Sequence, residues 1–183
     1  FRSTRDIASK GGYLFAWMMD ALMVGIGVGF DTEGAGTINI QEPEYTNDTL
    51  VIDDSREGWV NSVHVLLDGF FFGTKVPKFD YSAIRPLGAE IKGFGGTSSG
   101  PGPLIELHNN LKQLFSAKFG EPISSVDIVD LRSLASVTSL SDGSGAGTFT
   151  FNKATELHLT KLPRSPHAAL SLGVDEGGVI DIS

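Results

Sequence analysis

Ile84-Arg85-Pro86-Leu87-Gly88-Ala89-Glu90-Ile91-Lys92-Gly93-Phe94-Gly95-Gly96-Thr97-Ser98-Ser99-Gly100-Pro101 is the stretch on which the reading of this chain turns. A short apolar strand signal enters a glycine-dense loop, and the loop enters a helix begun by proline. Pro101 and Pro103 suit a first helical turn, where a missing N–H does no harm. Arg85 is held extended by the proline that follows it. Free N–H groups ahead of a helix can cradle a phosphate. The run lacks the Gly-Lys-Ser/Thr ending of a P-loop and does not fit Gly-x-Gly-x-x-Gly, so taken alone it describes a flexible turn equally well.

Downstream of that loop, Leu104, Leu107, Leu111, Leu114 and Phe115 recur at helical spacing, and Gly120 with Pro122 ends the pattern. Ser124-Ser125-Val126-Asp127 begins a further helix with a capping-box look, and Ile128, Leu131 and Leu134 line one side of it. Upstream, Phe79 to Ile84 reads as a strand or extended segment. Asp54-Ser55-Arg56-Glu57 is a helix start, with Asp54 or Ser55 as acceptor and Glu57 three residues after Asp54. Trp59, Val60, Val63, Leu66, Leu67 and Phe70 continue that helix as an apolar stripe. Thr37 to Gln41 and Thr49 to Ile52 are short strand candidates, separated by Pro43 and Asn47-Asp48. Tyr13 to Val24 is a helix apolar nearly all round, broken by Gly25. Ile26-Gly27-Val28-Gly29-Phe30 alternates small and apolar residues, as a strand does where something approaches its backbone closely.

The chain has 183 residues, which suits one domain with a real core. Its 14 basic and 22 acidic residues give a net charge of −8, which argues against non-specific binding to nucleic acid or anionic lipid. A local cation and a few N–H groups still suffice to hold a nucleotide. There is no cysteine, so neither a disulfide framework nor a thiolate metal site exists, in keeping with a cytoplasmic protein. The apolar run from Tyr13 to Phe30 carries Asp20 and several glycines and falls short of a membrane span, and no secretory pattern precedes it. The first residue is Phe1, so the chain is expected to begin inside something larger or to have been processed.

Four blocks in order carry a family likeness. They are Met19 to Thr32 with Gly34-Ala35-Gly36, then Asp54 to Val60, then Asp80-Tyr81-Ser82 leading into the glycine loop, then Pro122 to Ser125 with Asp127 to Leu131. Together they resemble ribonucleotide reductases, and the Gly-Phe-Gly-Gly-Thr form of the third block resembles the adenosylcobalamin-dependent class. The likeness implies an α/β fold: part of the ten-stranded α/β barrel of that family, with an irregular C-terminal tail. Residues 1–13 are then a lead-in, 14–135 the partial barrel with the effector-loop segment, and 136–183 a divergent, linker-like tail.

The same likeness implies the site. Gly27 and Gly29 match a substrate-lining strand, where a Cβ would collide with a bound ribonucleotide; the bland alternative is relief of helix–strand crowding. Arg85, Lys92, Gly93, Gly95 and Gly96 match the region that binds a deoxynucleotide effector. Arg offers a bidentate fork and Lys a mobile point charge, both suited to phosphate oxygens; the plain alternative is a pair of surface cations. Adenosylcobalamin is the implied cofactor, with its site largely outside this chain.

The remaining inventory is thin. His64 reads as a packed or rim histidine. His108, His158 and His167 have no partner at ligand spacing, so no metal site is assigned. Ser98 and Ser99 have no visible base. Reduction in this family runs on cysteines, so the chain alone is expected to be inactive. The expected function is therefore a reductase fragment contributing substrate and effector binding. The alternatives are a non-catalytic nucleotide-binding or regulatory module and a non-functional truncated product prone to associate through strand edges.

Overall fold

The structure is a computed structural model and describes residues 3–90, 97–141, 149–150, 172–174 and 179–182. In chain order the elements are α1 (Ile7–Lys10), α2 (Tyr13–Met23), β1 (Glu44–Val51), α3 (Arg56–Phe72), β2 (Lys75–Asp80), α4 (Gly102–Ser116), α5 (Ser125–Ser141), β3 (Phe149–Thr150), β4 (Leu172–Val174) and β5 (Val179–Ile182).

Helix α2 is the centre of the core because it is apolar on nearly every side. Leu14, Phe15, Met18, Met19 and Leu22 are all buried in it. It packs against α3 and α5, while α4 packs on α5 and α3. Aromatic rings tie three of these helices together. Phe15 of α2 lies 5.8 Å from Phe71 of α3, which meets Phe115 of α4 edge-on at 5.7 Å, and Phe70 lies 5.3 Å from Phe115. Each such pair adds about 1 kcal/mol beyond the area it buries. Arg132 of α5 is buried in the same core, its guanidinium 4.4 Å from the Phe30 ring centre and 5.1 Å from that of Phe15.

The start of α3 sits one residue later than a capping box from Asp54 to Glu57 requires. Ser55 is the N-cap, extended at φ −144°, and its hydroxyl accepts from the Gly58 N–H. Asp54 is not available for that role because Arg85 Nε donates to its carboxylate at 2.6 Å. At the other end Gly73 closes α3 at φ +66°, a left-handed turn that disfavours a side chain. Gly69 lets the helix lie on β2: a Cβ there would sit 2.3 Å from Val76 Cγ2.

β1 and β2 pair in parallel across the α3 crossover. Both strands are displaced from their sequence positions. β1 begins at Glu44 rather than Thr49, because a bulge between Tyr45 and Thr49 absorbs the Asn47-Asp48 turn signal. β2 covers Lys75–Asp80 rather than Phe79–Ile84, and it tolerates Pro77 because only one neighbouring strand must be served among the described residues. Thr37 to Gln41 forms no strand but pairs antiparallel with the segment after α4. Asn39 bridges Pro122, Gly36 N–H donates to Ile123 O at 2.7 Å, and Ile40 N–H donates to Glu121 O at 2.8 Å.

The segment Ile26 to Phe30 also corrects the sequence expectation. Its burial alternates as a strand's would, with Val28 and Phe30 inside and Gly27 exposed, but among the described residues it forms no named strand, and Phe30 alone in it carries a β-bridge. Ile26 N–H returns to Ala21 O, and Gly25 turns the chain at φ +78°. The sheet formed by β1 and β2 has two strands; a ten-stranded barrel is not present among the described residues.

The lead-in is docked. Buried Thr4 donates from its N–H and its hydroxyl to Asp31 Oδ1, each at 2.8 Å, and Gly34 N–H donates to the Thr4 hydroxyl at 2.9 Å. Helix α5 runs on to Ser141, beyond the change of composition near Ser133. The tail is not wholly irregular, since β3, β5 and β4 form a three-stranded antiparallel sheet in that order. The sequence shows no period there because strands of two to four residues are too short to display one. Among the described residues no helix is long and apolar enough to cross a membrane.

Candidate nucleotide site

The glycine-rich stretch leaves β2 through a tight turn. Asp80 Oδ1 accepts the Ser82 N–H at 2.9 Å, and that bond holds the Asp80 carboxyl below its usual range. Ile84 N–H donates to Tyr81 O, and Ile84 is buried as the last anchor before the loop. A hairpin stem follows. Gly88 N–H donates to Ser98 O and Ser98 N–H to Ala89 O, both at 2.8 Å, and Glu90 bridges Thr97. Gly88 needs its φ of +84° to enter the stem. Gly100 leaves it at φ +69°, where a Cβ would meet Leu87 N at 2.9 Å. The stem delivers the chain to Pro101 and α4.

Arg85 sits at the base of this hairpin. Besides the Asp54 carboxylate it reaches Glu90 O with Nη1 at 3.2 Å, bracing the stem against the start of α3. Both members of the Arg85–Asp54 pair remain about one-third exposed, so the guanidinium is accessible from solvent. Lys92, Gly93, Gly95 and Gly96 lie outside the described residues. Gly27 and Gly29 belong to a different place, the extended run leaving α2. The structure ties that run to α2 and Arg85 to α3, so the two halves of the expected site have separate supports.

No group of three or more His, Asp or Glu residues suited to a metal ion occurs among the described residues. His64 is the rim residue that the sequence suggests: its Nε2 lies 3.2 Å from Asp68 Oδ2, one turn along α3, and its ring meets Tyr13 edge-on. His158 and His167 lie outside the described residues.

The sequence offers His108 no acidic or histidine partner at ligand spacing, and the structure gives it a tyrosine and a serine instead. It is wholly buried on α4, with Nδ1 2.7 Å from the Tyr81 hydroxyl and Nε2 3.1 Å from the Ser62 hydroxyl. The Phe79 ring packs on it at 4.6 Å. Burial, and secondarily the charge of Lys112, push its basicity down to about 3. Burial also pushes the Tyr81 phenol up to about 12. The one signal in the sequence is position: His108 stands four residues after Leu104 and three before Leu111, on the apolar face.

The described geometry is matched by known proteins. Residues 32–115, from the turn after Asp31 to the last turn of α4, match the family model described as "B12-dependent ribonucleotide reductase, insertion domain". Over that stretch the chain is similar to the B12-dependent ribonucleotide reductases. The adenosylcobalamin-dependent ribonucleoside-triphosphate reductase of Euglena gracilis is 46% identical over 139 residues, covering 75% of this chain and 19% of that protein. The Dictyostelium discoideum protein named "Probable adenosylcobalamin-dependent ribonucleoside-triphosphate reductase" is 44% identical over 151 residues, covering 73% of this chain and 20% of its own length. A crystal structure of B12-dependent (class II) ribonucleotide reductase superposes with a TM-score of 0.61 at 26% identity, covering 76% of this chain and 25% of that one. The chain thus spans about a fifth of the length of the named reductases. Arg85 and the whole glycine loop fall inside the matched insertion domain of this reductase family, and Gly27 and Gly29 fall before it.

Proposed function

We propose that this chain is a segment of an adenosylcobalamin-dependent ribonucleotide reductase, an oxidoreductase that replaces the ribose 2′-hydroxyl of a ribonucleotide by hydrogen, and that it supplies nucleotide binding to that reaction. The observation that carries this reading is the hairpin stem of Gly88–Glu90 and Thr97–Ser98, inside the matched reductase domain, with the Arg85 fork at its base. Arg85 is set where a phosphate can exchange with one of its two present partners, and an exposed guanidinium favours such exchange over a buried one. Lys92, Gly93, Gly95 and Gly96 complete the proposed deoxynucleotide effector site. Gly27 and Gly29 give an approach for the ribonucleotide substrate, which the exposure of Gly27 permits. Residues 14–135 form the reductase part, a portion of the ten-stranded barrel together with its insertion, and 136–183 are a divergent tail. A cytoplasmic setting accords with the cysteine-free composition.

Adenosylcobalamin supplies the radical in such a reductase. The described residues do not make a cradle for it. Their large apolar side chains are spent in the helical core, and exposed ones such as Ile26, Tyr45 and Leu87 lie on separate elements. This chain therefore holds and orients nucleotides while the cofactor is held elsewhere in the reductase.

Calorimetric titration of the purified chain with dATP, dTTP and dGTP tests the reading. Binding of at least one of them is expected, weakened about tenfold by Arg85→Ala, the usual scale of one lost charge-assisted hydrogen bond. No heat at millimolar nucleotide would sink it. A second reading, a nucleotide-binding module that performs no reduction, is favoured by the absence of cysteine from all 183 residues. Incubation with ribonucleotide, adenosylcobalamin and a dithiol is expected to yield no deoxyribonucleotide from this chain by itself.

A further inference from the structure

Tyr81, His108 and Ser62 form a hydrogen-bond chain with a single direction. Ser62 Oγ lies 2.7 Å from Trp59 O, a carbonyl that only accepts, so the one hydroxyl proton of Ser62 goes there. The Ser62 oxygen, 3.1 Å from His108 Nε2, is then the acceptor of an Nε2–H. Nδ1 is left as the unprotonated nitrogen, and the Tyr81 hydroxyl, 2.7 Å away, donates to it. Ser62 and His108 are both fully buried, so each of these groups depends on its protein partners. The chain joins three elements: α3 through Ser62, α4 through His108, and the turn after β2 through Tyr81. The Phe79 ring covers the histidine from the β2 side.

We infer that His108 is a positioning residue: as the neutral Nε2–H tautomer it fixes the Tyr81 hydroxyl, and with it the root of the Ser82–Gly100 segment, against the α3–α4 pair. Ser82 N–H then returns to Asp80 Oδ1 and Ile84 N–H to Tyr81 O, and the hairpin stem starts four residues after Ile84, at Gly88. A pinned Tyr81 thus sets where the stem begins. What the pinned segment serves rests on the nucleotide reading above; the pinning itself does not. Two titratable groups bear on the ring. Tyr81 presents its proton to Nδ1, and Lys112 on the next turn of α4 opposes a second positive charge.

The test uses the full chain, labelled with ¹⁵N. Wild type is expected to show one neutral imidazole in the Nε2–H form, unchanged between pH 7 and pH 5. An Nδ1–H form, a tautomer mixture, or protonation near the ordinary histidine range overturns the inference. Amide exchange supplies the second readout. In Tyr81→Phe, and in Ser62→Ala, which loosens the chain from its far end, the Ile84, Gly88 and Ser98 amides are expected to exchange about tenfold faster, as one lost buried hydrogen bond implies, with α2 amides unchanged. Uniform acceleration, or none, overturns it. If the exchange pattern holds while no deoxynucleotide binds, the nucleotide reading falls and this one stands.

Discussion

A histidine shut away from water makes folding sensitive to acid, and His108 is the residue through which this chain feels it. Free imidazole takes up a proton near pH 6.5, whereas the folded ring resists until about 3. Both forms of the chain carry a neutral ring above pH 6.5, so nothing is lost there. As the pH falls below that value the unfolded chain gains a proton that the folded chain refuses. Stability then drops by about 1.4 kcal/mol per pH unit until the folded ring itself titrates. Urea midpoints measured from pH 7 to pH 4 are expected to fall along this slope, and His108→Gln to flatten it. Asp31 and Asp127, both held below the usual carboxylate range, add their own loss only below about pH 4. The burial of His108 was legible from its place between Leu104 and Leu111. Its partners were not: Ser62 lies 46 residues before it and Tyr81 27, and no local pattern encodes a meeting across three elements. Arg85 was legible as a fixed cation, but its partner Asp54, 31 residues earlier, was read as a helix cap.

Among the elements, the two helix starts show what a capping pattern can and cannot tell. At α5 the pattern is real. Asp127 N–H donates to the Ser124 hydroxyl at 3.1 Å, while Asp127 Oδ2 accepts the Ser124 N–H at 2.9 Å. Burial alone would raise the Asp127 carboxyl, but Lys118 and the two Ser124 donors outweigh it and hold it low. Asp127→Ala removes the carboxylate half of the capping box and strips Lys118 of its partner, so a loss of about 2 kcal/mol in urea unfolding is expected. Ser124→Ala, which keeps the carboxylate, should cost about half of that. At α3 the same motif fails because a distant arginine takes the acid first, and the cap moves to Ser55. The helices themselves were legible because each carries a long apolar stripe. The strands were displaced because β1 is mostly exposed and polar, and an exposed strand has no alternation to read.

For the whole molecule, stability resides in α2 through α5, and the parallel pair of strands hangs on the outside of α3. A two-stranded sheet with one mostly exposed member contributes little by itself. Amide exchange followed by mass spectrometry should therefore find residues 44–51 exchanging orders of magnitude faster than the buried turns of α3, because local opening there disrupts almost no core. Deoxynucleotide at saturating concentration should slow exchange in 84–100 and leave 44–51 unchanged. The likeness to B12-dependent reductases could be read from ordered blocks along the sequence. The extent of the sheet could not: among the described residues it has two strands, where the likeness implied part of a ten-stranded barrel.

The irregular register of β1 has one more outcome. Tyr45 faces Val76 and Thr49 faces Lys78, so four steps along β1 answer two along β2. Such a kink breaks the even spacing of donors and acceptors that an incoming ribbon would have to match. Lys78, bonded to Asn47 across the kink, adds charge at the same spot. A stray copy of this polypeptide consequently meets a crooked template, and fibril seeding along that border is disfavoured from the outset.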